Sequence, residues 1–284
     1  MIYDRARNCY YEEKQFGGGF LRLLYSGMLK PVRPLFLREG FSDLAYSMVE
    51  KGYNARRIEK LMAAAGINGE LFQGYPFESF TEFFLRRYKK EALPEVRTRD
   101  VISPSDGKVR TYQVTEDLKV RVKGRSYSLA ELMGGSEAAK LFRGGRLFII
   151  RLSLDDCHRF IYTENGFFSG RPFRKIKGLL HTVSSYSEKA AVLKENERRY
   201  SLLETTNGMV MVMEVGAMLV GRIRYHRAEQ ARRYAERGWF EPGGSTIVLM
   251  YQKDIIRPDL DLIQETLAGN EVRVRMGERI GTYL

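Results

Sequence analysis

Ser245 sits behind two glycines and ahead of the apolar run Ile247–Tyr251, an arrangement in which a side-chain hydroxyl can attack its own backbone. Gly244 has no Cβ, so the peptide bond before Ser245 reaches geometries closed to other residues and its carbonyl can be approached closely. Strain held at that bond favours attack by the hydroxyl, which exchanges the amide for an ester. Elimination from the ester would cut the chain between Gly244 and Ser245, and the dehydroalanine left behind would hydrolyse to a pyruvoyl ketone. The protein would then carry a carbonyl cofactor made from Ser245 itself. The competing reading of Gly-Gly-Ser ahead of a strand is a tight turn. Metal chemistry has no comparable support: there are three histidines and neither Cys-x-x-Cys nor His-Glu-x-x-His spacing, so no metal is expected.

Further motifs stand in order along the chain: Ser103-Pro104-Ser105-Asp106-Gly107-Lys108-Val109, Lys123-Gly124 with Tyr127-Ser128-Leu129, Asp155-Asp156-Cys157-His158-Arg159-Phe160, His181-Thr182-Val183, Glu214-Val215-Gly216-Ala217, the tetrad Gly243-Gly244-Ser245-Thr246, and Gly277-Glu278-Arg279-Ile280-Gly281. The ordered set, from about residue 77 to the C-terminus, resembles the phosphatidylserine decarboxylases, which are self-processing and pyruvoyl-dependent. The resemblance implies a catalytic set of Ser245 as nucleophile, His158 as base and Asp106 as the group that holds the base. It implies cleavage into a large chain (1–244) and a small pyruvoyl chain (245–284), which remain together as a heterodimer that can oligomerise further. The ketone would condense with the amine of phosphatidylserine, accept the electron pair left as carbon dioxide departs, and release phosphatidylethanolamine after a general acid reprotonates the α-carbon. His158 is the first candidate for that acid. Many members of the family carry a second histidine three residues later, where this chain has Ile161. Either His158 serves cleavage and protonation in succession, or His181, a candidate pocket residue, supplies the second function.

The elements that must position these residues are of two kinds. Ser42 can cap a helix carrying Leu44, Met48 and Val49; Asn54 can cap another with Ile58, Leu61 and Met62 that ends near Gly66. Ser79 and Glu82 have capping-box spacing ahead of Phe80, Phe83, Phe84 and Tyr88, an expected helical core stripe with Arg86, Arg87, Lys89 and Lys90 on a solvated flank. From about residue 100 the period becomes that of strands: Val120 and Val122 alternate with charge, Leu147–Ile150 is continuously apolar, and Met209–Met213 and Met218–Val220 follow. The expected architecture is α+β, with a helical, membrane-associating region over 1–95 and a strand-rich catalytic domain over 96–284 built as an antiparallel sandwich or partly closed barrel. No nucleotide-binding glycine pattern, internal repeat or low-complexity tract is present.

A net charge of +12 over 284 residues calls for an anionic partner. Asp4, Glu12 and Glu13 interrupt any secretory signal, and no apolar stretch approaches the roughly 20 residues that span a bilayer. Phe20, Leu21, Leu23, Leu24, Met28 and Leu29, among Arg22, Lys30, Arg33 and Arg38, can instead lie in a headgroup region, or pack as a core helix. With a lipid substrate the first is favoured, which places the protein peripherally on the cytoplasmic face of the cell membrane, against anionic lipid. Cys9 and Cys157, far apart in sequence, fit a reducing compartment. The stretch Arg222–Arg237, with Tyr225 and Tyr234, reads as a phospholipid-facing rim; a nucleic-acid patch has no accompanying motif, and His226 reads as a surface residue. The alternatives are a pyruvoyl decarboxylase of another serine-headed lipid or of a soluble amino acid, and a non-catalytic basic module that binds membrane or nucleic acid.

Overall fold

The computed structural model describes residues 1–13, 47–122, 125–178, 192–216, 223–241 and 245–284. Its frame is one large sheet whose central strands are Gly208–Gly216, Ser245–Tyr251, Arg146–Leu152 and Gly107–Gln113, antiparallel neighbours in that order. Alternation sends Ile247, Leu249 and Tyr251 to one face and Val248 and Met250 to the other, and each set joins a separate buried cluster. Both faces are covered, so these strands read as continuous apolar runs rather than alternating ones.

One face is packed by two small three-stranded sheets, which supply Phe160, Ile223 and Phe240 from one and Val101, Ile256 and Ile280 from the other. The opposite face is covered by residues 114–142, with Val120, Leu129, Leu132 and Phe142 buried against it. The class is therefore α+β with mostly antiparallel strands, as expected. The barrel reading is corrected: the path of the main sheet runs from Gln230–Ala231 to Cys9–Tyr11 without rejoining itself, so the sheet is open.

The expectation of helix at the N-terminus meets a different result in its first residues. Ile2–Asp4 pairs parallel to Glu271–Val274 and antiparallel to Cys9–Tyr11, so the chain begins in a hairpin whose second strand is an edge of the main sheet. The amphipathic segment Phe20–Arg38, the cap at Ser42, Met218–Val220 and His181 lie outside the described residues.

Local signals hold where they can be compared. The Asn54 side chain accepts from the Arg57 N–H, and helix Ala55–Ala65 closes on Gly66 at φ 65°. Ser79 Oγ accepts from the Glu82 N–H at 3.2 Å, and Phe80, Phe83 and Phe84 are buried. The helix stops there, however, and Tyr88 is buried from a short strand with Arg87 rather than from the same helical face. Arg86 also departs from the solvated flank: it is 2% exposed, lies over the Phe72 and Phe83 rings, and donates to the Phe83 and Asp155 carbonyls. The aromatic cluster around this helix takes in Ile102, Cys157, Ile161 and Met276, so it joins the region before residue 96 to the region after it.

Glu164 is a buried carboxyl within hydrogen-bond reach of the Tyr251 hydroxyl at 3.5 Å, and burial pushes it up to about 7. The folded chain therefore holds a proton that the unfolded chain releases at lower pH, and stability falls as pH rises through that window. Glu164→Gln should remove this dependence, leaving the variant more stable than wild type by up to about 3 kcal/mol above pH 7. Melting curves from pH 5 to 8 check it: parallel curves for the two proteins would contradict the assignment.

Candidate active site

Four strand ends meet at one edge of the main sheet. Ser245 begins its strand opposite Leu152, which ends one neighbour, and opposite Gly216, which ends the other. Lys108 pairs with Arg151, so Asp106 and Gly107 enter the sheet on the far side of the same neighbouring strand. Gly107 is required there, since a Cβ would stand 2.9 Å from the Arg151 carbonyl oxygen and 2.6 Å from an Ile150 methyl. The loop from Ser153 to His158 leaves the sheet between Asp106 and Ser245.

His158 is tied to this edge twice. Its carbonyl accepts from the Phe240 N–H at 3.0 Å, and four residues of chain separate Phe240 from Ser245. Behind it, the Ile161 N–H donates to the Pro104 carbonyl at 2.9 Å, which draws the Ser103–Asp106 segment to the same place. The imidazole is fully buried and stacks on Phe84 with ring centroids 3.7 Å apart. Its Nδ1 lies 3.0 Å from the Asp156 carbonyl oxygen. A carbonyl only accepts, so Nδ1 carries the proton and Nε2 is the basic nitrogen of the neutral ring.

The Asp106 carboxylate, which the resemblance casts as the group that holds the base, directs its hydrogen bonds to Tyr88 and two backbone amides. Both its oxygens accept from the Tyr88 hydroxyl at 3.0 Å, Oδ2 accepts from the Cys157 N–H at 3.1 Å, and Oδ1 from the Met276 N–H at 2.9 Å. Asp106 thus fixes the backbone one residue before His158. The ring itself contacts the Asp156 carbonyl and Phe84. The Cys157 thiol, buried and pushed up to about 12 by burial, stays protonated and is no rival nucleophile.

Ser245 is fully buried, and among the described residues its Oγ has no hydrogen-bond partner. An orphaned buried hydroxyl costs folding free energy, which fits a group kept for chemistry rather than for structure. Gly243 and Gly244 lie outside the described residues.

Sequence reasoning missed the charge beneath the loop. Lys108 Nζ, wholly buried, meets Asp156 at 2.8 Å, Asp155 at 3.2 Å and Glu13 at 3.3 Å. Burial alone would lower this ammonium; the three carboxylates hold it well above its ordinary range. Burial, against the pull of Lys108, pushes Asp156 up to about 6. The signal was present: Lys108 falls within the Ser-Pro-Ser-Asp-Gly-Lys-Val segment, and a lysine in a strand buried on both faces demands counter-charge.

Part of the basic stretch is internal. Arg237 is fully buried on the Glu214 carboxylate at 2.8 Å, with Nη2 2.7 Å from Ser201 Oγ. Arg233 donates to the carbonyls of Thr98 and Asp100, and Arg224 pairs with Glu241. These three have separate partners, while Arg224, Arg227 and Arg232 are exposed and Arg222 lies outside the described residues. His226 is exposed, with Nε2 2.7 Å from Glu236, in keeping with a surface residue.

The family model described as phosphatidylserine decarboxylase matches residues 80–282. The chain is 33% identical to phosphatidylserine decarboxylase proenzyme 2 of Clostridium acetobutylicum, over 99% of this chain and 97% of that protein. It is 34% identical to the phosphatidylserine decarboxylase proenzyme of Clostridium novyi, over 100% and 99% of the two chains. The proenzyme of Ruminiclostridium cellulolyticum is 33% identical, over 100% and 98%.

Proposed function

The chain belongs to the phosphatidylserine decarboxylase family, and from that premise we propose that it converts phosphatidylserine to phosphatidylethanolamine and carbon dioxide with a pyruvoyl group made by self-cleavage between Gly244 and Ser245. The observation that carries the reading is Ser245: a buried hydroxyl with no hydrogen-bond partner among the described residues, at the end of the central strands from which the His158 loop departs. His158 takes the Ser245 proton through Nε2, while the Asp156 carbonyl keeps Nδ1 protonated and the ring oriented. Asp106 is a positioning residue that holds the Cys157 amide and so the backbone that presents His158. When formed, the pyruvoyl group supplies the ketone that withdraws the electron pair released with carbon dioxide. His158, no longer needed for cleavage, then delivers the proton to the α-carbon.

The large and small chains remain interlocked after the cut, because residues 245–251 are hydrogen-bonded between strands of the large chain on both sides. A lipid substrate makes the protein peripheral to the membrane, on the cytoplasmic face, with the basic amphipathic segment against anionic lipid. No helix among the described residues is long and apolar enough to cross a bilayer.

The test is carbon dioxide release from phosphatidylserine in mixed micelles, with free serine and a second serine-headed lipid in parallel. Turnover of phosphatidylserine alone is expected. Equal turnover of free serine would replace the lipid reading by that of a soluble amino-acid decarboxylase, and an uncut chain without turnover would leave a binding module.

A further inference from the structure

Glu13 is the last described residue before the amphipathic segment, and its carboxylate enters the network beneath the catalytic loop. Oε2 accepts from Arg151 Nη1 at 2.8 Å; Oε1 accepts from the Ser153 hydroxyl and lies 3.3 Å from Lys108 Nζ. Each of these partners acts on the loop. Ser153 opens it, and its N–H donates to Asp156 Oδ2 at 2.7 Å. Lys108 holds the Asp155 and Asp156 carboxylates. Asp156 in turn orients the His158 ring through its carbonyl. The N-terminal hairpin that delivers Glu13 is fixed by pairing of Ile2–Asp4 with Glu271–Val274.

We infer that Glu13 is a positioning residue for the reaction: from the N-terminal hairpin it sets the Ser153–His158 loop through Ser153, Lys108 and Arg151. The inference rests on the functional reading above and adds to it a residue more than 100 positions away in sequence from any of those assigned roles except Asp106. Chemistry makes the carboxylate hard to replace. Two cations and a hydroxyl converge on its two oxygens, and an amide in its place must turn its NH2 toward one of those donors. A buried cation then loses its acceptor and the loop shifts to compensate.

The experiment compares wild type, Glu13→Gln, Ser153→Ala, the double variant, and Glu12→Gln, which makes the same charge change at an exposed neighbour. Precursor is followed on denaturing gels from synthesis onward, and kcat and KM are then measured per pyruvoyl group. Self-cleavage and kcat should each fall about tenfold in Glu13→Gln with KM unchanged, since small displacements of a catalytic group carry losses of this order or more. Glu12→Gln should match wild type. The double variant should be no slower than Glu13→Gln, because both substitutions break one connection. Wild-type rates in Glu13→Gln, a defect confined to KM, losses that add in the double variant, or slowing that only tracks a lower folded fraction would each overturn the inference. Absence of cleavage in wild type would instead overturn the functional reading itself.

Discussion

Ser245→Ala should yield a single uncut chain with no detectable decarboxylation. The loss is total rather than graded because the substitution removes the nucleophile and, with it, the β-leaving group whose elimination gives the dehydroalanine from which the ketone forms. Folding should survive. The Ser245 hydroxyl has no partner among the described residues, so alanine forfeits no hydrogen bond to any of them and removes a buried polar group, a change worth about 1 kcal/mol in favour of the fold. Intact mass and a melting curve read the two halves of the expectation. Wild type should divide into residues 1–244 and 245–284 with a blocked new terminus, while the variant melts cooperatively as one chain. A free serine at residue 245 of wild type would mean ordinary proteolysis, and an active uncut variant would end the pyruvoyl account.

His158→Asn should slow self-cleavage by about 10²–10⁴-fold, the usual worth of a positioned base. Asparagine is the informative replacement because its side-chain N–H can still donate to the Asp156 carbonyl and its flat amide can still lie on Phe84, so the loop keeps its supports and only the basic nitrogen is removed. The time course of precursor disappearance is the measurement. Cleavage at the wild-type rate with turnover abolished would confine His158 to protonating the α-carbon and reassign the base.

The structure changes what Asp106 means in this scheme. With Tyr88, Cys157 and Met276 as its donors, its carboxylate braces the backbone of the His158 loop, and the ring contacts Asp156 and Phe84. Ile161, where many relatives by resemblance have a second histidine, is buried in the aromatic cluster beside Cys157 and Met276. Removal of that imidazole from the scheme leaves His158 as the histidine the described residues bring to the Ser245 edge.

Much was legible in the chain itself. The tetrad Gly243-Gly244-Ser245-Thr246 named a reaction only as one of an ordered set of motifs, since Gly-Gly-Ser ahead of a strand also makes a tight turn. Caps at Asn54 and Ser79 and the continuous apolar run Ile247–Tyr251 named local structure, because each depends on residues within about four positions of one another. Partners separated by long stretches of chain were not legible. Strand pairing, the loop after Leu152 and the packing of one sheet on another carry Lys108 to Asp156, Arg237 to Glu214 and Glu13 to Arg151, and the burial of those charges follows from layers packed on both faces of the sheet. Composition could therefore count the arginines of 222–237 but not tell that Arg237 is spent inside the core. The resemblance placed Asp106 and His158 in one site, but only the tertiary structure gave the Asp106 carboxylate its donors, Tyr88 and the Cys157 and Met276 amides.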